Sequence, residues 1–131
     1  VQKMLKNGID VTKSTVGVMG VTFKENRPDI RNSKVIDIIA ELKNWNIKVV
    51  VVDPWADPAE VEAVYGFSLG AISSKDKVDS LIVAVGHNEF RDLEPEELRG
   101  YCRGNVPVLA DVKSLYDRSA LGAQNFSVFR L

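Results

Sequence analysis

Four apolar runs rich in valine, isoleucine and leucine recur along the chain, and the stretches between them carry helical spacing. Lys48-Val-Val-Val-Val52 is the plainest of them, a continuous apolar run without polar alternation, closed by Asp53-Pro54. Such a run marks a parallel strand covered on both faces, because a half-solvated antiparallel strand alternates polar and apolar residues. Thr15 to Met19, Asp79 to Val85 and Val106 to Val112 read the same way. Between the first two strands, Val35, Ile38, Ile39 and Leu42 recur at helical spacing, with Ser33 or Asn32 as N-cap. Asp57-Pro58 supplies an N-cap followed by proline at N1 for a helix ending at Gly66, and residues 89–102 hold a helix built on Pro95-Glu96-Glu97-Leu98. Phe67 to Ile72 reads as a further short strand, and Phe126 to Leu131 as an edge strand. The alternation predicts an α/β fold, a Rossmann-like doubly wound parallel sheet in three α/β/α layers with right-handed crossovers.

Length and charge narrow the function. A chain of 131 residues is one domain by size. Residues 1–13 read as the tail of a preceding helix, closed by Gly8, and a linker; residues 14–131 form the domain. Neither Val1 nor the motif order resembles a natural start, so a longer parent polypeptide is expected. The net charge of −1 gives no global attraction for nucleic acid or an anionic membrane, so any electropositive site must be local. A single cysteine, Cys102, excludes an internal disulfide and a cysteine-based metal site, and it fits a reducing compartment. No run approaches the ~18 apolar residues of a membrane span, and a signal-peptide core is lacking, so a soluble, cytoplasmic protein is expected.

The polar loop after the first strand, Gly20-Val-Thr-Phe-Lys-Glu-Asn-Arg-Pro-Asp-Ile-Arg-Asn-Ser33, is where chemistry is expected. Open α/β sheets bind anions outside the carboxyl ends of their strands, against free helix N–H groups. Lys24, Arg27 and Arg31 suit a phosphorylated ligand. Pro28 keeps Arg27 out of helical geometry and the loop open. Gly17 and Gly20 do not complete Gly-x-Gly-x-x-Gly, so the usual dinucleotide turn is not expected; they read as points of close backbone packing.

Gly-x-x-Phe-Lys followed by Asp-x-Arg-x-Ser resembles the signature of the C-terminal, UDP-binding domain of the UDP-glucose/GDP-mannose dehydrogenase family. The resemblance continues through Val52-Asp53-Pro54, the strand end from Ile82 to His87, and Asp111-Val112-Lys113. It implies that Phe23, Lys24 and Lys113 contact a UDP-sugar and that Arg31 reaches the nicotinamide cofactor. It further implies a parent enzyme that oxidises the C6 alcohol of a UDP-hexose to a carboxylate with two NAD. The NAD site, the catalytic cysteine and the acid/base residues would lie on an N-terminal domain of the same polypeptide, in a homodimer. The loop variant is most similar to the branch acting on UDP-N-acetylhexosamines for capsule or O-antigen synthesis. On this reading the chain by itself carries no catalytic residue.

Plainer readings stand beside these. Lys24 could be a solvated loop lysine, and Arg31 an ion-pair partner of Asp29; Arg27 has no family counterpart and reads as a surface charge. Asp53 could grip a ribose, as acids at this position do in NAD-binding units, or simply form a turn before Pro54. Asp111 reads as a loop anchor. For His87, acid/base work is conceivable and a loop-capping role is favoured. Cys102, read as helical, is expected to be buried and inert. A stand-alone nucleotide-binding or receiver-like interaction domain is the alternative, although a receiver needs an acidic pair where Thr22, Phe23 and Lys24 stand.

Overall fold

The computed structural model describes residues 13–31 and 33–129, so residues 1–12 of the expected helix tail lie outside it. Each apolar run becomes a strand: β1 (Thr15–Met19), β2 (Lys48–Val52), β3 (Ser80–Val83) and β4 (Val108–Asp111), with β5 (Ser127–Phe129) at the terminal edge. The helices are α1 (Val35–Asn44), α2 (Pro58–Tyr65), α3 (Asn88–Arg91), α4 (Pro95–Gly100) and α5 (Arg118–Ala123). Every strand pair is parallel, in the order β2-β1-β3-β4-β5.

Two apolar layers sandwich the sheet. Val35, Ile39 and Leu42 of α1 and Val61 of α2 pack with Val16, Val18 and Val51. On the other face Phe90, Leu98 and Leu121, from α3, α4 and α5, pack with Leu81, Val83 and Leu109. The fold is thus doubly wound, as the alternation implied. Because β1 leads to one outer strand and β3 returns to its other side, the loops leaving β1 and β3 diverge to opposite faces. That divergence opens a crevice at their carboxyl ends, where such sheets bind ligands.

Several local expectations are corrected. Residues 67–72 form no strand: their link to β2 is one backbone bond, Gly70 N–H to Val51 O at 2.8 Å. They run beside β2, which lies at the sheet edge and is only partly buried. Residues 89–102 divide into α3 and α4, since Pro95 starts a new helix at its first turn. Cys102 lies past α4, in a parallel bridge with Val78. The N-cap of α1 is Lys34, already helical at φ −74 and ψ −14, so no extended residue presents a capping side chain. Ser33 sits one position earlier with its hydroxyl buried and unpartnered, and Asn32 is outside the described residues.

Candidate functional site

A cavity of about 680 Å³ opens at the carboxyl edge of the sheet. Phe23, Lys24, Glu25 and Arg27 line it from the loop after β1, Ser33 to Val35 from the start of α1, and Val112 and Lys113 from the loop after β4. Its floor includes Ala84 and Val85, which are buried. Lys24, Arg27, Lys34 and Lys113 therefore share one concavity with a single acid, Glu25. That acid is already engaged, accepting from Arg91 Nη2 at 3.2 Å, which leaves the rim electropositive. Phe23, 49% exposed, offers an aromatic face beside Lys24, whose ammonium lies 5.9 Å from its ring centroid.

The loop is held by groups that do not line the cavity. Asp53, at the end of β2, accepts from the amides of Val21 (2.8 Å) and Thr22 (3.1 Å) through Oδ2, and from those of Trp55 (2.8 Å) and Ala56 (3.2 Å) through Oδ1. Oδ2 also meets Nε2 of His87 at 3.0 Å. Burial pushes the Asp53 carboxyl up, but the hydrogen bonds from His87, Val21 and Trp55 outweigh it and hold it below the ordinary range. His87 is fully buried, and its Nδ1 accepts the Asn26 amide at 2.8 Å. Phe23 N–H closes the loop on Asp29 O at 2.8 Å, and the buried Ile30 anchors its far end, its carbonyl accepting from the Tyr65 hydroxyl.

The residues expected to meet a substrate, Phe23, Lys24 and Lys113, come together here. Arg27, read as a surface charge, is exposed and also lines the cavity, and Lys34, not singled out in the sequence, lines it too. Arg31 does not line the cavity. Its side chain is 78% exposed and forks onto Asp29 through Nε (3.1 Å) and Nη2 (3.4 Å). That side-chain hydrogen bond lowers the pKa of Asp29 and raises that of Arg31.

Asp53 is a turn former and more, since it ties two strand ends together. It is 8% exposed and saturated by amides, which leaves no grip for a ribose. At Gly20 the backbone has φ +103, and a Cβ would stand 2.6 Å from Val85 Cβ. At Gly17 a Cβ would stand 2.5 Å from Ile72 Cδ1. Both glycines serve close packing, and among the described residues no glycine-rich dinucleotide turn follows β1.

Asp111 anchors its loop by accepting the amides of Leu115 (2.9 Å) and Tyr116 (3.0 Å). His87 does have a carboxylate partner, in Asp53, but both ring nitrogens are engaged and neither reaches solvent, so it caps the loop. Burial pushes the Cys102 thiol up to about 12, the state of an inert sulfur. The signal for the Asp53–His87 pair was present as two polar residues ending apolar runs, but strand order was needed to make them neighbours. Among the described residues no three His, Cys, Asp or Glu converge on a metal position, and no helix is long and apolar enough to cross a membrane.

The chain is similar to several known proteins. UDP-N-acetyl-D-glucosamine 6-dehydrogenase of Salmonella typhi is 42% identical over 113 residues, 86% of this chain and 26% of that protein. The protein of the same name from Pseudomonas aeruginosa is 42% identical over 117 residues, 89% of this chain and 28% of its own length. The chain thus spans about a quarter of these relatives. Among solved structures, the NDP-N-acetyl-D-galactosaminuronic acid dehydrogenase from Methanosarcina mazei Go1 superposes with a TM-score of 0.86 over 98% of this chain and 26% of that one. At 17% identity this likeness speaks for the fold alone. Residues 17–118 match the UDP-binding domain of the UDP-glucose/GDP-mannose dehydrogenase family, and the chain belongs to that family.

Proposed function

We propose that residues 14–131 are the C-terminal, UDP-sugar-holding domain of an NAD-dependent nucleotide-sugar 6-dehydrogenase. The parent oxidises the C6 alcohol of a UDP-hexose, a UDP-N-acetylhexosamine, to the uronic acid for bacterial surface polysaccharide. The observation that carries the reading is that Lys24 and Lys113, far apart in sequence, line one concavity beside Phe23.

Lys24, Arg27 and Lys113 offset the charge of the diphosphate, and Phe23 supplies an apolar face to the uridine or sugar. At ~4 Å and an effective dielectric of ~20, each cation–phosphate pair is attracted by ~4 kcal/mol before desolvation. The net value of such a charge-assisted bond is ~1.5–3 kcal/mol, or about tenfold in affinity and upward. NAD is bound mainly by the N-terminal domain of the same polypeptide, and Arg31, exposed beside Asp29 and outside the cavity lining, is the residue of this chain that meets it. The parent acts in the cytoplasm as a homodimer.

Calorimetry on this chain with UDP and UDP-N-acetylglucosamine should show weak binding, because half a cleft encloses little of the ligand. Lys24→Ala and Lys113→Ala should each weaken it by about tenfold or more. Unchanged affinity in both variants would refute the assignment. Adding NAD and UDP-N-acetylglucosamine to this chain should yield no NADH.

A further inference from the structure

The proton arrangement beneath the cavity loop is closed. The Asn26 amide donates to Nδ1 of His87 at 2.8 Å, so that nitrogen is an acceptor and carries no proton. Nε2 lies 3.0 Å from both Asp53 Oδ2 and Thr22 Oγ1, so it carries the ring proton and shares it between them. The Thr22 hydroxyl spends its own proton on the Lys24 carbonyl at 3.0 Å. His87 is therefore the neutral Nε2–H tautomer, and it touches the loop backbone directly at Asn26 and through the Thr22 hydroxyl at Lys24. Asn26 itself sits at φ 54, a left-handed conformation that this amide bond helps to hold.

We propose that His87 is the positioning residue of the ligand-binding loop, and that the loop is set only while the ring is neutral. A second proton would have to go on Nδ1, where it would face the Asn26 N–H donor against donor. On the opposite side of the ring Nε2 keeps its proton and its contact with Asp53 Oδ2 at 3.0 Å. Protonation thus keeps the ring on Asp53 and loosens the segment carrying Phe23, Lys24 and Arg27.

The charged groups on the elements that meet the ring are Asp53 at the end of β2, Lys24 and Glu25 in the loop, and Glu89 and Arg91 on α3, where Glu25 pairs with Arg91 and Glu89 accepts from Trp55 Nε1. Asp53 is the one in hydrogen-bond contact with the ring. The tethers that do not involve Nδ1 survive protonation: the Val21 and Thr22 amides on Asp53, Phe23 N–H on Asp29 O, Arg91 to Glu25 at 3.2 Å, and the Asn26 side chain to Asn88 at 2.9 and 3.2 Å. Acidification should therefore weaken ligand binding without unfolding the domain. Only the ligand readout rests on the cavity's being the UDP-sugar site.

The test uses this chain at about pH 8 and about pH 5. Nitrogen-15 spectra report the His87 tautomer, amide exchange reports Asn26 protection, and calorimetry reports affinity for UDP-N-acetylglucosamine, whose diphosphate keeps its charge across that range. Wild type should show an unprotonated Nδ1 at the higher pH. On acidification, Asn26 protection and affinity should each fall about tenfold, the loss of one hydrogen bond. His87→Gln should bind weakly at both values with little pH dependence. A protonated Nδ1 at the higher pH, flat wild-type profiles, or the same pH dependence in His87→Gln would overturn the proposal. If the variant fails to fold, the wild-type tautomer and pH series decide alone. If UDP-N-acetylglucosamine does not bind while Asn26 protection still follows the ring proton, the ligand assignment fails and the positioning role stands.

Discussion

Asp53→Asn separates a turn-forming aspartate from one that ties two strand ends together. In a simple turn before proline, asparagine serves as well as aspartate. Here Oδ2 accepts from Val21, Thr22 and His87, while Oδ1 accepts from Trp55 and Ala56. Whichever way the new amide is turned, its NH2 faces N–H donors, and at least two backbone amides lose their acceptor. Each stranded donor costs ~1–3 kcal/mol, less what local relaxation recovers, so the substitution should cost about 3 kcal/mol. That is a large share of the ~5–15 kcal/mol typical of a domain.

Urea unfolding of both proteins, followed by circular dichroism, measures the difference, and fluorescence of Trp55, whose amide bonds to Asp53, reports the site itself once Trp45 is replaced by phenylalanine in both. A cost below about 1 kcal/mol, the worth of a single ordinary hydrogen bond, would refute the reasoning. The pH dependence is a second check. The folded Asp53 carboxyl is held low, so its stabilisation is present above the unfolded value of ~3.9 and is lost as pH falls through the folded one. The gap between wild type and Asp53→Asn should narrow from about pH 5 to about pH 3, and a widening gap would contradict the hydrogen-bond account.

Gly20→Ala should lower the melting temperature by about 10 °C, since φ +103 and a Cβ 2.6 Å from Val85 together imply a loss of ~3 kcal/mol. Gly66→Ala, with φ +78 and nothing within 4 Å of the new Cβ, isolates the backbone share and should cost only ~1 kcal/mol. Cys102, its thiol raised to about 12 and its side chain in the core, should stay unlabelled by a thiol reagent until urea is added. Stoichiometric labelling of the native protein would count against the packing around it.

Much of the site could be read from the residues because of one property of parallel sheets. Once the apolar runs around Val16, Val50 and Leu109 are read as parallel strands, their carboxyl ends share an edge. Lys24 and Lys113 must then face the same side. Which of the loop's arginines faces the cavity was not legible in this way, because Arg27 lines it and Arg31 does not, and their directions depend on the path of an irregular loop. That path is set by Phe23 bonding to Asp29, by Asp53 gathering the loop's first amides, and by His87 holding Asn26. Each of those contacts except the first joins residues distant in the chain.

The residue pattern alone indicated the five strands of the sheet, helices α1 and α2 and the parallel α/β class, because burial on both faces and helical periodicity are local properties of side-chain hydrophobicity, while α5 and the division into α3 and α4 were not read from it. Tertiary structure decided the strand order, the denial of strand status to residues 67–72, and the meeting of Thr22, Asp53 and His87 beneath the cavity. The physical reason is that a buried polar group settles on whichever donors and acceptors the packed sheet brings within about 3 Å of it. No stretch of the sequence contains that information until the strands have chosen their neighbours.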